Sequence, residues 1–515
     1  MWPWGESPDG GPLTRGALPR GLSPFMVNHV GAWVQERQQL AAAVRWHHIA
    51  LIYNQAGIPR DMNQHRHCAG RLLGLLLFGA PACSANDLVE LYEAALAHDA
   101  SLQSAIYTRD GAIEARPRAL SQWLPQLSAI ASGTRERIDY TTSQTSGTEA
   151  SDCVVNPTGN TSRCYATAHG VGLKLTQSLW SYEALSQVKE SGYQVAAAEA
   201  SLLSAEQNLV LRVAQAYFGI LSATDQLVTN RNEREAFGSL LSQARSREQT
   251  GISARSDVEQ AQSFYDATEE SVIDAQNALE DANLALAVIV GAQARAIAPL
   301  ERDIPLTAPD PDSVDEWVAS ARRGNFDVRV AYLKAQAAAH DISVQRGKGL
   351  PTLSLSGSSS RQWQDVILGG NQTLDTISLT FSWPLFQGGA VASAVRQARA
   401  LHRQTQTDYE AVLRDNERQV RGAFRSVING ISRIKATQRA VTSGQVAMEA
   451  SKRNLEFGTG GEFDLLSSQN NYYTALRAYN QARYDYLTSA LTLKQQAGRL
   501  DKRDLMAIDD MLVKR

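Results

Sequence analysis

Twice in this chain, a run of alternating apolar and polar residues leads into a proline-free helical stretch of about seventy residues. In the first, Val171, Leu173, Leu175 and Leu179 alternate with Gly172, Lys174, Thr176 and Ser178, and Ser181 to Thr250 follows. In the second, Ile377, Leu379, Phe381 and Trp383 alternate with Ser378, Thr380 and Ser382, and Ala390 to Phe457 follows. A period of two gives a strand one apolar and one polar face. The long stretches are rich in Ala, Gln, Glu, Leu and Arg, which favour helix. At ~1.5 Å per residue each helix runs about 100 Å. No globular domain buries such a rod, so it needs neighbours along its length. Ala-rich stretches such as Val195-Ala196-Ala197-Ala198 let helices approach closely. Gly251 ends the first helix and Gly458-Thr459-Gly460-Gly461 the second, and return helices follow over Ser256 to Gly291 and Phe463 to Gly498. These are two antiparallel helical hairpins with Gly251, Gly458, Gly460 and Gly461 at their turns.

The rest of the sequence repeats around this unit. Leu124-Pro125-Gln126-Leu127-Ser128 returns as Leu350-Pro351-Thr352-Leu353-Ser354, Ala216-Tyr217 as Ala423-Phe424, and Gly251 with Asp257 as Gly458 with Asp464. The spacing predicts a first structural repeat over 86–311, with a helical lead-in from Asn86 to Ala115, a β-hairpin over 124–180 and a helical hairpin over 181–291. The second covers 312–515, with a lead-in from Asp312 to Arg346, a β-hairpin over 350–386 and a helical hairpin over 390–498. Roughly twenty extra residues separate the strands of the first repeat, and they include Cys153 and Cys164.

Residues 62–85 have the form of a secretory signal peptide: Arg66 and Arg71, then the apolar Leu72 to Ala80, then small residues ending at Ala85. Residues 1–61 before it read as upstream sequence or a disordered extension. Lipidation at Cys83 is the rival reading, and Pro81 fits it poorly. Cys153 and Cys164, close in sequence in an exported chain, read as a disulfide closing a short loop.

No run of about 18 apolar residues crosses a membrane as a helix. Strands of about ten residues with one apolar face can span a bilayer if the sheet closes. Four strands cannot close around a pore, so several protomers would share one barrel. Periodicity alone leaves an ordinary sheet with one buried face equally open. The long helices favour the barrel, because a simple coiled-coil rod does not explain why each begins at a strand of membrane length. With 50 Lys+Arg against 53 Asp+Glu, the chain lacks the positive excess of a nucleic-acid binder. His65, His67 and Cys68 resemble a metal cluster but fall in the leader segment. We find no catalytic constellation, cofactor motif or phosphate-binding loop, so the chain reads as a non-enzyme.

The motifs Leu175-Thr176-Gln177-Ser178-Leu179, Ala216-Tyr217-Phe218, Phe381-Ser382-Trp383-Pro384-Leu385-Phe386-Gln387-Gly388-Gly389 and Ala482-Arg483-Tyr484-Asp485-Tyr486-Leu487, with the two Leu-Pro pairs, resemble the TolC family of outer-membrane efflux proteins. The resemblance covers nearly all of the chain from Asn86 to about Asp510. It implies a mixed α and β fold: a homotrimer with a twelve-stranded transmembrane β-barrel, continuous with a long periplasmic α-helical barrel closed at its inner tip. It also implies a periplasmic adaptor (membrane fusion protein) and an inner-membrane RND or ABC transporter as partners, outer-membrane lipid around the barrel, and efflux of small compounds or type I protein secretion as the activity. Pro384 can end a ladder because it has no N–H, and Gly388 and Gly389 permit the turn from strand to helix. Asp257 falls at the family's gate Asp and Asp464 at a ring-forming Asp, and Ser467 stands where a second ring Asp is expected. Leu455 and Gly460 replace the family's locking Tyr and Arg. Helix capping is the structural reading of both Asp residues and is compatible with gating. A non-pore periplasmic coiled-coil adaptor or scaffold is the alternative.

Overall fold

The computed structural model describes residues 87–140, 153–155, 162–293, 297–364 and 370–513. The leader-like segment 62–85 and residues 1–61 lie outside the described residues, as do the side chains of Cys153 and Cys164.

The chain opens with three short helices, α1 (Leu88–His98), α2 (Ala100–Ile113) and α3 (Ala115–Ser121). The helical lead-in expected over Asn86 to Ala115 is thus divided into separate helices and runs on to Ser121. The break falls at buried Asp99, which accepts from Leu102 N at 2.7 Å to cap α2 and holds Arg212 through two hydrogen bonds of 2.8 and 2.9 Å. Of the periodic residues in α1, Leu88, Leu91, Tyr92 and Ala95 are buried, whereas Leu96 is at the surface.

Next come β1 (Gln126–Tyr140), β2 (Cys153–Val155), β3 (Ser162–Trp180), α4 (Tyr182–Gln249) and α5 (Arg255–Val290). The expected second lead-in is likewise divided, into α6 (Val314–Gly324) and α7 (Phe326–Gly347), with Asn325 capping α7 through Val328 N at 3.0 Å. The chain continues as β4 (Thr352–Gln364), β5 (Gly370–Ser382), α8 (Ala390–Glu456), α9 (Glu462–Gln496) and α10 (Lys502–Asp509). β5 therefore ends four residues before the expected hairpin limit at Phe386.

All pairings in the sheet are antiparallel, in the order β1-β3-β4-β5, with β2 beside β3. α4 has 68 residues and α8 has 67, so both are about 100 Å long. α7 packs against the sheet-proximal halves of both; towards the far ends, α5 pairs with α4 and α9 with α8. The largest apolar cluster lies at mid-height, where Tyr217 is fully buried and its hydroxyl donates to Ala298 O at 2.8 Å. A second cluster, built on Phe237, Leu240, Leu241, Leu465 and Leu466, joins both hairpins near their tips.

Candidate functional site

The register sorts the sheet into two faces. Leu127 is opposite Leu175, Leu355 opposite Leu379, Gly357 opposite Ile377, and Leu353 opposite Phe381, all on one face. Ser128, Lys174, Thr176, Ser356, Ser358, Thr376, Ser378 and Thr380 share the other, where the Ser356 and Ser378 hydroxyls are 2.7 Å apart. A bulge between Ser178 and Trp180 shifts the alternation, so Trp180 rather than Leu179 pairs with Leu353 in the apolar row. Nothing in the chain covers this apolar face among the described residues: Ile377 is 85% exposed and Phe381 65%. Among the described residues, β1 and β5 each have a strand on one side only. A face this apolar, on strands of membrane-spanning length, suits lipid, and the opposite face suits water.

The two strands enter their helices differently. Between β3 and α4 stands Ser181 alone, in extended conformation, capping α4 by accepting from Ala184 N at 3.2 Å. Between β5 and α8 the chain takes the seven residues Trp383 to Gly389, in which Pro384 follows the last ladder and Gly388 and Gly389 have φ of 60° and 83°. The end of α7 crosses the start of α4 so closely that a Cβ on Gly347 would lie 2.6 Å from the Glu183 backbone.

At the far end, both hairpins turn in the same way. Gly251 and Gly458 have φ of 75° and 71°. Ile252 N donates to Arg247 O at 2.9 Å and Gly251 N to Glu248 O at 2.9 Å; Thr459 N donates to Asn454 O at 2.9 Å and Gly458 N to Leu455 O at 3.2 Å. Each is a Schellman ending that needs a left-handed residue, hence Gly. Gly460 and Gly461 lack positive φ, and Gly461 is the N-cap of α9. Asp257 and Asp464 are not N-caps as expected. Each sits at the third position of its helix and accepts from the N-cap N–H, Ala254 at 3.1 Å and Gly461 at 3.3 Å. Asp464 is exposed and Ser467 is half-buried further along α9. Leu455 packs on the tip cluster.

Sequence reasoning missed the residues that join the two hairpins. Glu462, the first residue of α9, is 6% exposed, with Oε2 lying 3.3 Å from Ser253 Oγ and 3.9 Å from Arg247 Nη1 of the first hairpin. Ser253 Oγ also donates to Asp257 Oδ2 at 2.8 Å. Burial raises the proton affinity of Glu462, with Arg247 and Ser253 opposing and Asp257 reinforcing it. Further along the seam, Arg477 of α9 pairs with buried Glu233 of α4, Tyr484 donates to Asp225 at 2.7 Å and Ser222 to Gln481 at 2.7 Å. Burial likewise raises the proton affinity of Glu233 against the pull of Arg477. The only advance signal was position: Glu462 follows the Gly460-Gly461 break, where reasoning singled out Asp464 instead.

A sheet with one apolar and one polar face, extended by two hairpins of about 100 Å, is the architecture of an outer-membrane channel protein. The model of the family "Outer membrane efflux protein" matches residues 91–292 and 317–499, and the chain belongs to that family. It is similar to outer membrane protein TolC of Escherichia coli, 30% identical over 464 residues that cover 86% of this chain and 88% of that protein. It is also similar to the alkaline protease secretion protein AprF of Pseudomonas aeruginosa, 26% identical over 425 residues covering 82% and 86% respectively. In fold it resembles the solved structure of CusC, with a TM-score of 0.68 at 17% identity, covering 85% of this chain and 99% of that one.

Proposed function

We propose that three copies of this chain close one twelve-stranded barrel and one helical tunnel, built from the repeats 86–311 and 312–515. The assembly serves as a passive exit duct. A periplasmic adaptor docks on the tunnel, and an inner-membrane RND or ABC transporter supplies the energy. The observation that carries this is a sheet, continuous with two long hairpins, whose apolar face is uncovered and whose two edges are open among the described residues. Only closure with further copies satisfies those edges in a bilayer. The tunnel tip is the gate, with Asp257, Asp464 and Ser467 as its candidate polar residues. The relatives include a protein named for protease secretion as well as TolC, so export of a protein and efflux of small compounds are both within reach of such a duct. The test is purification from outer membranes followed by recording in planar bilayers. Heat-resistant trimers that conduct support the duct; a soluble monomer without conductance supports a coiled-coil scaffold. A deletion strain assayed for drug sensitivity and for secreted proteins separates the two cargo classes.

A further inference from the structure

The contacts of Ser253 at the tip pose a problem of hydrogen count. Its hydroxyl has one hydrogen, yet it touches two carboxylates, Asp257 Oδ2 at 2.8 Å and Glu462 Oε2 at 3.3 Å. The shorter contact takes the hydrogen, so Glu462 faces the lone pairs of Ser253 Oγ. Two ionised carboxylates cannot both be satisfied by that hydroxyl. The other oxygen of Glu462, Oε1, is buried and has no hydrogen-bond partner. Arg247 is 3.9 Å away, beyond hydrogen-bonding range. A charged carboxylate in this setting leaves one oxygen unpaired and the other opposed, and both cost free energy. A neutral carboxylic acid removes the opposition and leaves Oε1 an uncharged acceptor, which costs less to bury unpaired: Glu462 donates to Ser253, and Ser253 donates to Asp257. The chain then runs unbroken from the second hairpin to the first.

We propose that Glu462 is a proton-operated latch between the two hairpin tips of a protomer: the closed tip holds it as the neutral acid bonded to Ser253, and opening exposes and ionises it. The inference rests on the reading of the tip as the gate. Two charged groups act on Glu462 from the elements packed against it, Arg247 at the end of α4 and Asp257 in the first turn of α5. Arg247 favours the ion, and Asp257 favours the acid. Burial adds to the side of the acid, in line with the hydrogen count. The sign follows by linkage. The closed tip binds this proton more tightly than the open tip, so acid closes the gate and alkali loosens it. A simple ion-pair latch between Glu462 and Arg247 would do the opposite, because acid would break it.

The experiment is single-channel recording of wild type, Glu462→Gln and Glu462→Ala trimers in one lipid, from about pH 5 to about pH 8, a range that covers a carboxyl raised from its ordinary value. The amide of Gln can donate to Ser253 as the acid does, whereas Ala removes the link. The open fraction of wild type is expected to fall severalfold on acidification. Glu462→Gln is expected to stay mostly closed and lose most of that dependence. Glu462→Ala is expected to be more open and equally insensitive. A wild-type open fraction that rises on acidification, or that does not change, overturns the latch. So does a Glu462→Gln channel that gates like Glu462→Ala. Trimers that insert but never conduct would instead sink the channel reading itself, which keeps the two failures apart.

Discussion

Cutting the ion pair between Arg477 and Glu233 from its two sides should have unequal consequences. Glu233 is 3% exposed; its side chain and that of Arg477 are 4% and 28% accessible. Replacing Arg477 with Ala leaves a sealed carboxylate without its cation. Breaking a buried pair costs ~3–5 kcal/mol. The escape route is protonation, which for an ordinary glutamate at pH 7 costs about 3.5 kcal/mol at ~1.36 kcal/mol per pH unit. The penalty for Arg477→Ala therefore settles at about 3 kcal/mol per protomer. Replacing Glu233 with Ala leaves Arg477 free to turn towards water while keeping Thr474, which accepts from its Nη2 at 3.1 Å. Losing one hydrogen bond between charged groups then costs about 1.5 kcal/mol. The expected asymmetry is about 1.5 kcal/mol, read from denaturant midpoints of detergent-solubilised trimers, or from unfolding rates where refolding fails. The pH dependence has a definite sign. Glu233 holds its proton more tightly folded than unfolded, so its favourable contribution is complete below the ordinary carboxylate range and declines as pH rises through the raised folded value. Without Arg477 nothing opposes burial, so the Arg477→Ala penalty should shrink as pH falls from 7 towards that range. Equal losses from the two substitutions, or a penalty that ignores pH, would refute this account of the seam.

Cys153 and Cys164 are directly opposite across β2 and β3, a separation that a disulfide spans, and non-reduced peptide mapping should recover them joined; both thiols free would end the idea. Asp464→Asn should lower cation selectivity, measured as reversal potential across a salt gradient, without loss of trimers, because the proposed trimer would bring three copies of this exposed carboxylate towards one axis, where they attract cations. An unchanged reversal potential would leave Asp464 as a helix-start residue only. Gly347→Ala should lower trimer thermal stability by an amount equivalent to at least about 1–3 kcal/mol of overpacking, since the added carbon meets Glu183 backbone rather than a side chain that could move.

Much of the fold was legible in the sequence because it is written in long periods. The alternation at Leu173 to Leu175 and Ile377 to Phe381 marks strands whatever surrounds them, and the glycines at 251 and 458 mark helix ends that only a left-handed residue permits. The divided lead-ins were not read, yet they carry a signal: Asp99 and Asn325 are both capping residues, and they stand 226 residues apart, as do the two Leu-Pro pairs. The tip network was illegible for a different reason. Whether Glu462 or Asp464 turns inward depends on the rotation of α9 against α4, and a two-residue step on a helix turns a side chain to nearly the opposite side. That rotation is set by the packing of Leu465 and Leu466 against Phe237, contacts between residues more than two hundred positions apart.

The unequal joints between sheet and helices bear on how such a molecule could move. Ser181 is a weld: one extended residue, hydrogen-bonded at its cap, fixes the heading of α4 to that of β3. The stretch from Trp383 to Gly389 is a universal joint, with a proline to release the ladder and two consecutive glycines to swivel on. A heading imposed on α4 is therefore passed to β3 through a single residue, while the heading of α8 is separated from that of β5 by seven residues and is held near the sheet by the packing of α7 instead. The first hairpin is then stepped into the sheet like a mast, whereas the second, which carries Glu462, hangs from it by a hinge and takes its alignment from its neighbours.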